Sequence, residues 1–143
     1  MLIFQVFAAV VTVYCTAIVL DAPKKLNVYI GLLGGLGWLT YLILISTYDY
    51  MLATYLSSVV IAFVSHLGAR KFKVPVTVFF IPSFFPLVPG AKIYQSVYFY
   101  ITNKPGLGNQ YFLETIFISG MIALAILSVD SMFRIFYKNI LKR

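Results

Sequence analysis

Residues 75–94 read PVTVFFIPSFFPLVPGAKIY, an apolar stretch of membrane length carrying four prolines, Pro75, Pro82, Pro86 and Pro89. A proline lacks the amide donor and clashes with the carbonyl four residues back, so a continuous helix is not expected here. The residues ahead of the inner prolines, Ile81, Phe85 and Val88, are pushed toward extended geometry, and Gly90 permits a turn after Pro89. The segment is expected to break near Pro86–Gly90. Irregular backbone at membrane depth survives only where protein buries it or water bathes it, so the break marks a cavity, a pore lining or a subunit contact.

The rest of the chain supplies the membrane. Of 143 residues 62% are hydrophobic and 10% charged, and the mean hydropathy of +0.95 exceeds what a soluble core of this size requires. A hydrocarbon core of about 30 Å takes about 20 apolar residues as helix. Five such runs are legible, at about 2–20, 27–47, 50–69, 76–101 and 111–136, giving an all-α integral membrane protein of one domain, 1–143, with the fourth span broken by prolines. The turn-rich TNKPGLGNQ separates the last two spans. The first run begins apolar at once, has no basic residue before Lys24, and reads as an uncleaved span.

Charge orients the spans. If all five cross, Lys24, Lys25, Arg70, Lys71, Lys73, Arg134, Lys138, Lys142 and Arg143, nine of the eleven basic residues, share one side. Cytoplasmic loops carry this excess, which puts the C-terminus in the cytoplasm of a cell (plasma) membrane and the N-terminus outside. Tyr48, Tyr50, Tyr98, Tyr100 and Tyr111 then fall near the outer interface. The net charge of +7 lies at the edges of apolar runs, not on one polar face, so no nucleic-acid partner is expected. The single cysteine, Cys15, excludes an intrachain disulfide and is expected to pack in its span.

Candidate working residues cluster at the break. Lys92 is the one basic residue inside a span and away from its ends, and an intramembrane ammonium costs at least about 2.5 kcal/mol unless it meets a partner or water. If a helix restarts at Ala91, its free amides and positive dipole end favour an anion, and Lys92 reinforces that field. The plainer alternative is snorkelling to headgroups about 13 Å away. Glu114 is a possible ion-coupling carboxylate or a partner of Lys92, although a solvated first-turn acid is the plainer reading. Asp130 and Arg134, four apart, are expected to neutralise each other on one helix face. Gly31 and Gly35 have the Gly-x-x-x-Gly spacing that permits close helix packing, within the chain or against a partner. His66 has no second His, Cys or nearby acid in sequence, so a metal site is not expected. No set of residues supports nucleophilic or hydrolytic catalysis, and neither an enzyme nor a cofactor is expected.

The residues Pro82, Pro86-Leu87-Val88-Pro89-Gly90 and Tyr94, preceded by a basic loop and Val74–Pro75, resemble the small second-half subunit of the threonine/serine exporter (ThrE-type) family. The glycine-rich GLLGGLGW at the start of the second span is a weaker mark, and with the five-span layout the resemblance covers nearly the whole chain. It implies a secondary exporter of small metabolites, either amino acids such as threonine and serine or small dicarboxylates such as succinate. It also implies a larger exporter-family subunit as partner, and a substrate path shaped by Pro82, Pro86, Pro89, Gly90, Lys92 and Tyr94. Lys92 stands where the family commonly has a small residue. An odd number of spans without an internal duplicate fits one half of a transporter. The alternatives are a non-transporting membrane scaffold and a passive channel.

Overall fold

The structure, a computed structural model, describes residues 2–141, with side chains placed for residues 2–135. Its elements are α1 (Leu2–Val19), α2 (Asn27–Leu44), α3 (Tyr50–Phe72), α4 (Thr77–Ser83), a 3₁₀ turn at Phe85–Leu87, α5 (Gly90–Ile101) and α6 (Pro105–Leu141). No strand occurs among the described residues. Helices α1, α2, α3 and α6 are each long and apolar enough to cross a membrane, and α4 with its 3₁₀ turn, bent by 50° against α5, is with α5 long and apolar enough to make a fifth if the two are one broken span. Outward faces carry exposed Ile3, Phe7, Leu32, Leu56, Phe117 and Leu127, as expected where the solvent is lipid.

Small residues let the helices approach. Gly31, Gly34 and Gly35 of α2 are buried against α1: a Cβ at Gly31 would stand 3.2 Å from the Val10 carbonyl oxygen, and one at Gly34 or Gly35 would fall inside the side chain of Val13 or Val10. Gly37 meets Ile61 of α3 in the same way. Dispersion across such close contacts holds membrane helices together where the hydrophobic effect between them is weak. Cys15 is exposed on the outer face of α1 and does not pack inside the bundle.

The break differs from the sequence reading in three respects. Pro82 lies inside α4, with Ile81 helical and not extended. One forgone bond, to the Val78 carbonyl, is outweighed by burial of Pro82 and Phe79, and α4 survives only one residue further. Phe85 is likewise in the 3₁₀ turn, so only Val88 takes extended geometry (φ −61°, ψ 130°). The reversal is made by Pro89, not Gly90. Pro89 at φ −78°, ψ 48° forms an inverse γ-turn in which the Gly90 amide donates to the Val88 carbonyl at 2.8 Å. No glycine among the described residues has positive φ, and a Cβ on Gly90 would meet open space. Gly90→Ala is therefore expected to leave thermal stability in detergent unchanged or raised by up to about 1 kcal/mol, through a less flexible unfolded chain. A loss of more than that would mean the turn needs glycine.

The last helix also starts earlier than expected, at Pro105 in place of about residue 111. Proline at the first helical position is favoured because its φ is preset and its missing amide would be unpaired anyway. Gly108 then brings the first turns of α6 under α5, with the Tyr100 ring 3.0 Å from where its Cβ would stand and Ser96 Oγ donating to its carbonyl at 2.9 Å. Phe99 stacks on Tyr111, and the Tyr100 hydroxyl bonds Asn109.

Direction follows from neighbours. Thr77–Pro82 lie beside Leu20–Pro23, where α1 ends, whereas Pro86–Lys92 lie beside Tyr41 near the end of α2 and Thr54 in the first turns of α3. The broken segment thus runs from one end of the bundle to the other. The end where α1 and α3 finish collects Lys24, Lys25, Arg70, Lys71, Lys73 and, through its contact with Asp130 near His66, Arg134. Lys138, Lys142 and Arg143 lie outside the described side chains.

Candidate functional site

Where the fourth span breaks, the backbone turns away from its neighbours and leaves a cavity of about 260 Å³. Pro86, Leu87, Val88, Pro89, Ala91 and Lys92 form one wall, and Trp38, Tyr41, Thr54 and Ile118 the other. Each element contributes for a local reason. Pro86 and Pro89 prevent the helix that would fill the space. Trp38 and Tyr41, three apart on α2 and stacked at 5.2 Å, present one flat aromatic face. The Thr54 hydroxyl is turned back to the Tyr50 carbonyl at 2.8 Å, so the cavity is mostly apolar on that side.

The polar chemistry comes from α5 and α6. Helix α5 begins at the cavity, and among the described residues the first-turn amides of Ala91 and Lys92 meet no backbone acceptor. Such amides, with the positive end of the helix dipole, favour negative charge. The Lys92 ammonium bonds the Glu114 carboxylate at 2.6 Å and lies 5.1 Å from the centre of the Tyr111 ring. Glu114 also accepts from Gln110 Nε2 at 3.3 Å. Side-chain exposure is 40% for Lys92 and 20% for Glu114, so the pair is partly desolvated on the protein side. Because α6 starts at Pro105, Glu114 sits well inside the helix and is paired; it is not the solvated first-turn acid that its sequence context favoured. Lys92 is held by this partner and does not reach away as a lone snorkelling cation.

The candidate residues do not all converge. Pro86, Pro89 and Lys92 line the cavity, and Glu114 reaches it through Lys92 and stands one helical turn from Ile118. Gly90 lies at the rim with its α-carbon exposed. Pro82 is buried lower in α4 and borders a separate hollow of about 230 Å³ with Leu20, Asp21 and Pro23. Tyr94 points outward, 70% exposed, on a face of α5 that it shares with Val97, Tyr98 and Ile101. Gly31 and Gly35 are covered by α1 of the same chain.

Sequence reasoning missed the opposite wall, since Trp38 stands out only as the end of the glycine-rich string GLLGGLGW, and Tyr41, Thr54 and Ile118 come from three other helices and carry no motif. It also placed no acid near His66, whereas α6 brings Asp130 Oδ1 to 3.7 Å from its Nε2. The Asp130–Arg134 pair is present, with Arg134 Nε donating to Asp130 Oδ2 at 2.8 Å.

A family model described as "Threonine/Serine exporter, ThrE" matches residues 5–132. No curated protein and no solved structure matches the chain. The matched stretch takes in most of α1, all of α2 through α5 and most of α6, including both walls of the cavity and the Lys92–Glu114 pair, and on that match the chain belongs to the threonine/serine exporter family.

Proposed function

We propose that this chain is one subunit of a secondary exporter of small amino acids of the threonine and serine type, with the substrate passing the broken fourth span. The observation that carries the reading is the Lys92–Glu114 pair at the mouth of the break, beside the unpaired amides of α5. A zwitterionic amino acid brings a carboxylate and an ammonium of its own. It exchanges one ion pair for two, its carboxylate taking Lys92 and the α5 amides, its ammonium taking Glu114. No charge is stranded during the exchange, which keeps the barrier low at a partly desolvated site. A dicarboxylate such as succinate satisfies Lys92 but sets its second carboxylate against Glu114, so this geometry favours amino acids. The cavity lies just under the about 300 Å³ at which drug-sized ligand pockets begin, a suitable size for a small metabolite.

The partner is a larger subunit of the same family. Helix α5 packs chiefly on α6, and its outer face bears Tyr94, Val97, Tyr98 and Ile101 at helical spacing, all more than half exposed. That stripe suits a helix of the second half, which would complete the path around Pro86, Pro89 and Gly90. The basic end of the bundle faces the cytoplasm of the cell membrane, which puts the N-terminus and the Lys92–Glu114 pair toward the outside. Export is driven by an ion or proton gradient.

Efflux of labelled threonine, serine and succinate from cells lacking their own exporters tests this reading. The cells express this chain alone, the larger subunit alone, or both. Efflux of threonine and serine only with both chains, and at least about tenfold faster than that of succinate, is the expected result. Equal efflux with and without this chain would leave it a scaffold.

A further inference from the structure

At the basic end of the bundle the single histidine is enclosed by three helices. His66, in the last third of α3, is 8% exposed. Its ring stacks on Phe133 of α6 at 4.4 Å and meets Phe80 of α4 edge-on at 5.6 Å. Nε2 is buried without a hydrogen-bond partner, and Asp130 Oδ1 of α6 stands 3.7 Å away, just beyond bonding distance. Asp130 is itself oriented, since its other oxygen accepts from Arg134. The charged groups facing the ring are Asp130 and Arg134 from α6 and Arg70 from α3, whose guanidinium lies 4.7 Å over the same Phe133 ring. From α4 the described neighbour is Phe80, which does not titrate.

We propose that His66 and Asp130 form a proton-binding site joining α3 to α6. An imidazolium carries N–H on both nitrogens, so a protonated ring must donate from Nε2, and Asp130 Oδ1 is the acceptor set there to receive it. A charge-assisted N–H···O bond settles at about 2.7–2.9 Å. Proton uptake therefore closes the gap between the two side chains by about 0.8–1.0 Å, drawing this end of α6 toward α3, and release lets it relax. Asp130 and Glu114 lie on the same helix, sixteen residues or about 24 Å apart. The proton site and the Lys92–Glu114 pair are thus joined by one rigid element. The part of this inference that concerns coupling to export rests on the exporter reading above; the proton site itself does not.

Because the chain has one histidine, ¹⁵N-histidine NMR of the purified chain in lipid nanodiscs reads His66 alone. The expected result is a single titration whose midpoint moves by about one pH unit or more in Asp130→Asn, which keeps an oxygen for Arg134. An imidazole that takes up no proton while the chain stays folded, or a midpoint that Asp130→Asn moves by less than about 0.3 unit, overturns the site. In the two-subunit efflux assay, His66→Gln is expected to flatten the pH dependence of export, and an unchanged pH profile overturns the coupling. If the wild-type chains export nothing, the exporter reading fails while the NMR result still decides the proton site.

Discussion

Lys92→Met is expected to lower threonine efflux by about tenfold or more while the chain still reaches the membrane. The charged hydrogen bond it removes from the passing carboxylate is worth about 1.5–3 kcal/mol, and 1.4 kcal/mol is a factor of ten. The same loss is expected from Glu114→Gln, which removes the acceptor for the substrate ammonium. Each single change also strands its former partner's charge next to lipid, so lower efflux alone does not separate a transport role from a folding role. The double variant Lys92→Met/Glu114→Gln separates them. Replacing both members of a desolvated pair by neutral groups of similar shape is close to neutral for stability, whereas removing one is destabilising. The double variant is therefore expected to melt in detergent near the wild-type temperature and above either single variant, yet to export no better than either. Recovery of efflux together with stability would show that the pair serves only to hold α5 on α6.

Gly34→Leu is expected to have the largest effect on the fold. A Cβ at Gly34 already falls inside the Val13 side chain, and Val13 is fully buried at the centre of the α1–α2 contact. The clash is with a branched side chain that has no free space to enter. Overpacking of this kind reaches about 3 kcal/mol, enough to part α1 from α2 in a marginally stable bundle. Gly120→Leu is the matched control, because Gly120 faces outward from α6 with nothing within 4 Å of its Cβ position. Size-exclusion chromatography after a heat ramp should show early loss of the folded peak for Gly34→Leu and none for Gly120→Leu. Equal behaviour of the two would mean that α1 does not pack on α2 through this glycine.

The amino-acid sequence alone determined the membrane class, the order of the apolar helices and the site of the break. Those features depend on local chemistry. Twenty apolar residues must be helical in lipid, Pro86 and Pro89 must interrupt a helix wherever they occur, and runs of Lys and Arg mark one end. The family was also legible, because its marks sit in one contiguous string around Pro86–Gly90. Pro82 was misread for a physical reason: a proline near the end of a short helix forgoes one bond, and burial against α1 and α2 is enough to offset it. The start of α6 was misread because Gly106 and Gly108 look like turn residues until Tyr100 is packed against the second of them. Only the tertiary structure decided the pairings. Lys92 with Glu114, and His66 with Asp130, are 22 and 64 residues apart, and no periodicity of a single helix relates them. They meet because α6 packs along both α5 and α3, and that packing between helices, not local propensity, fixes the arrangement.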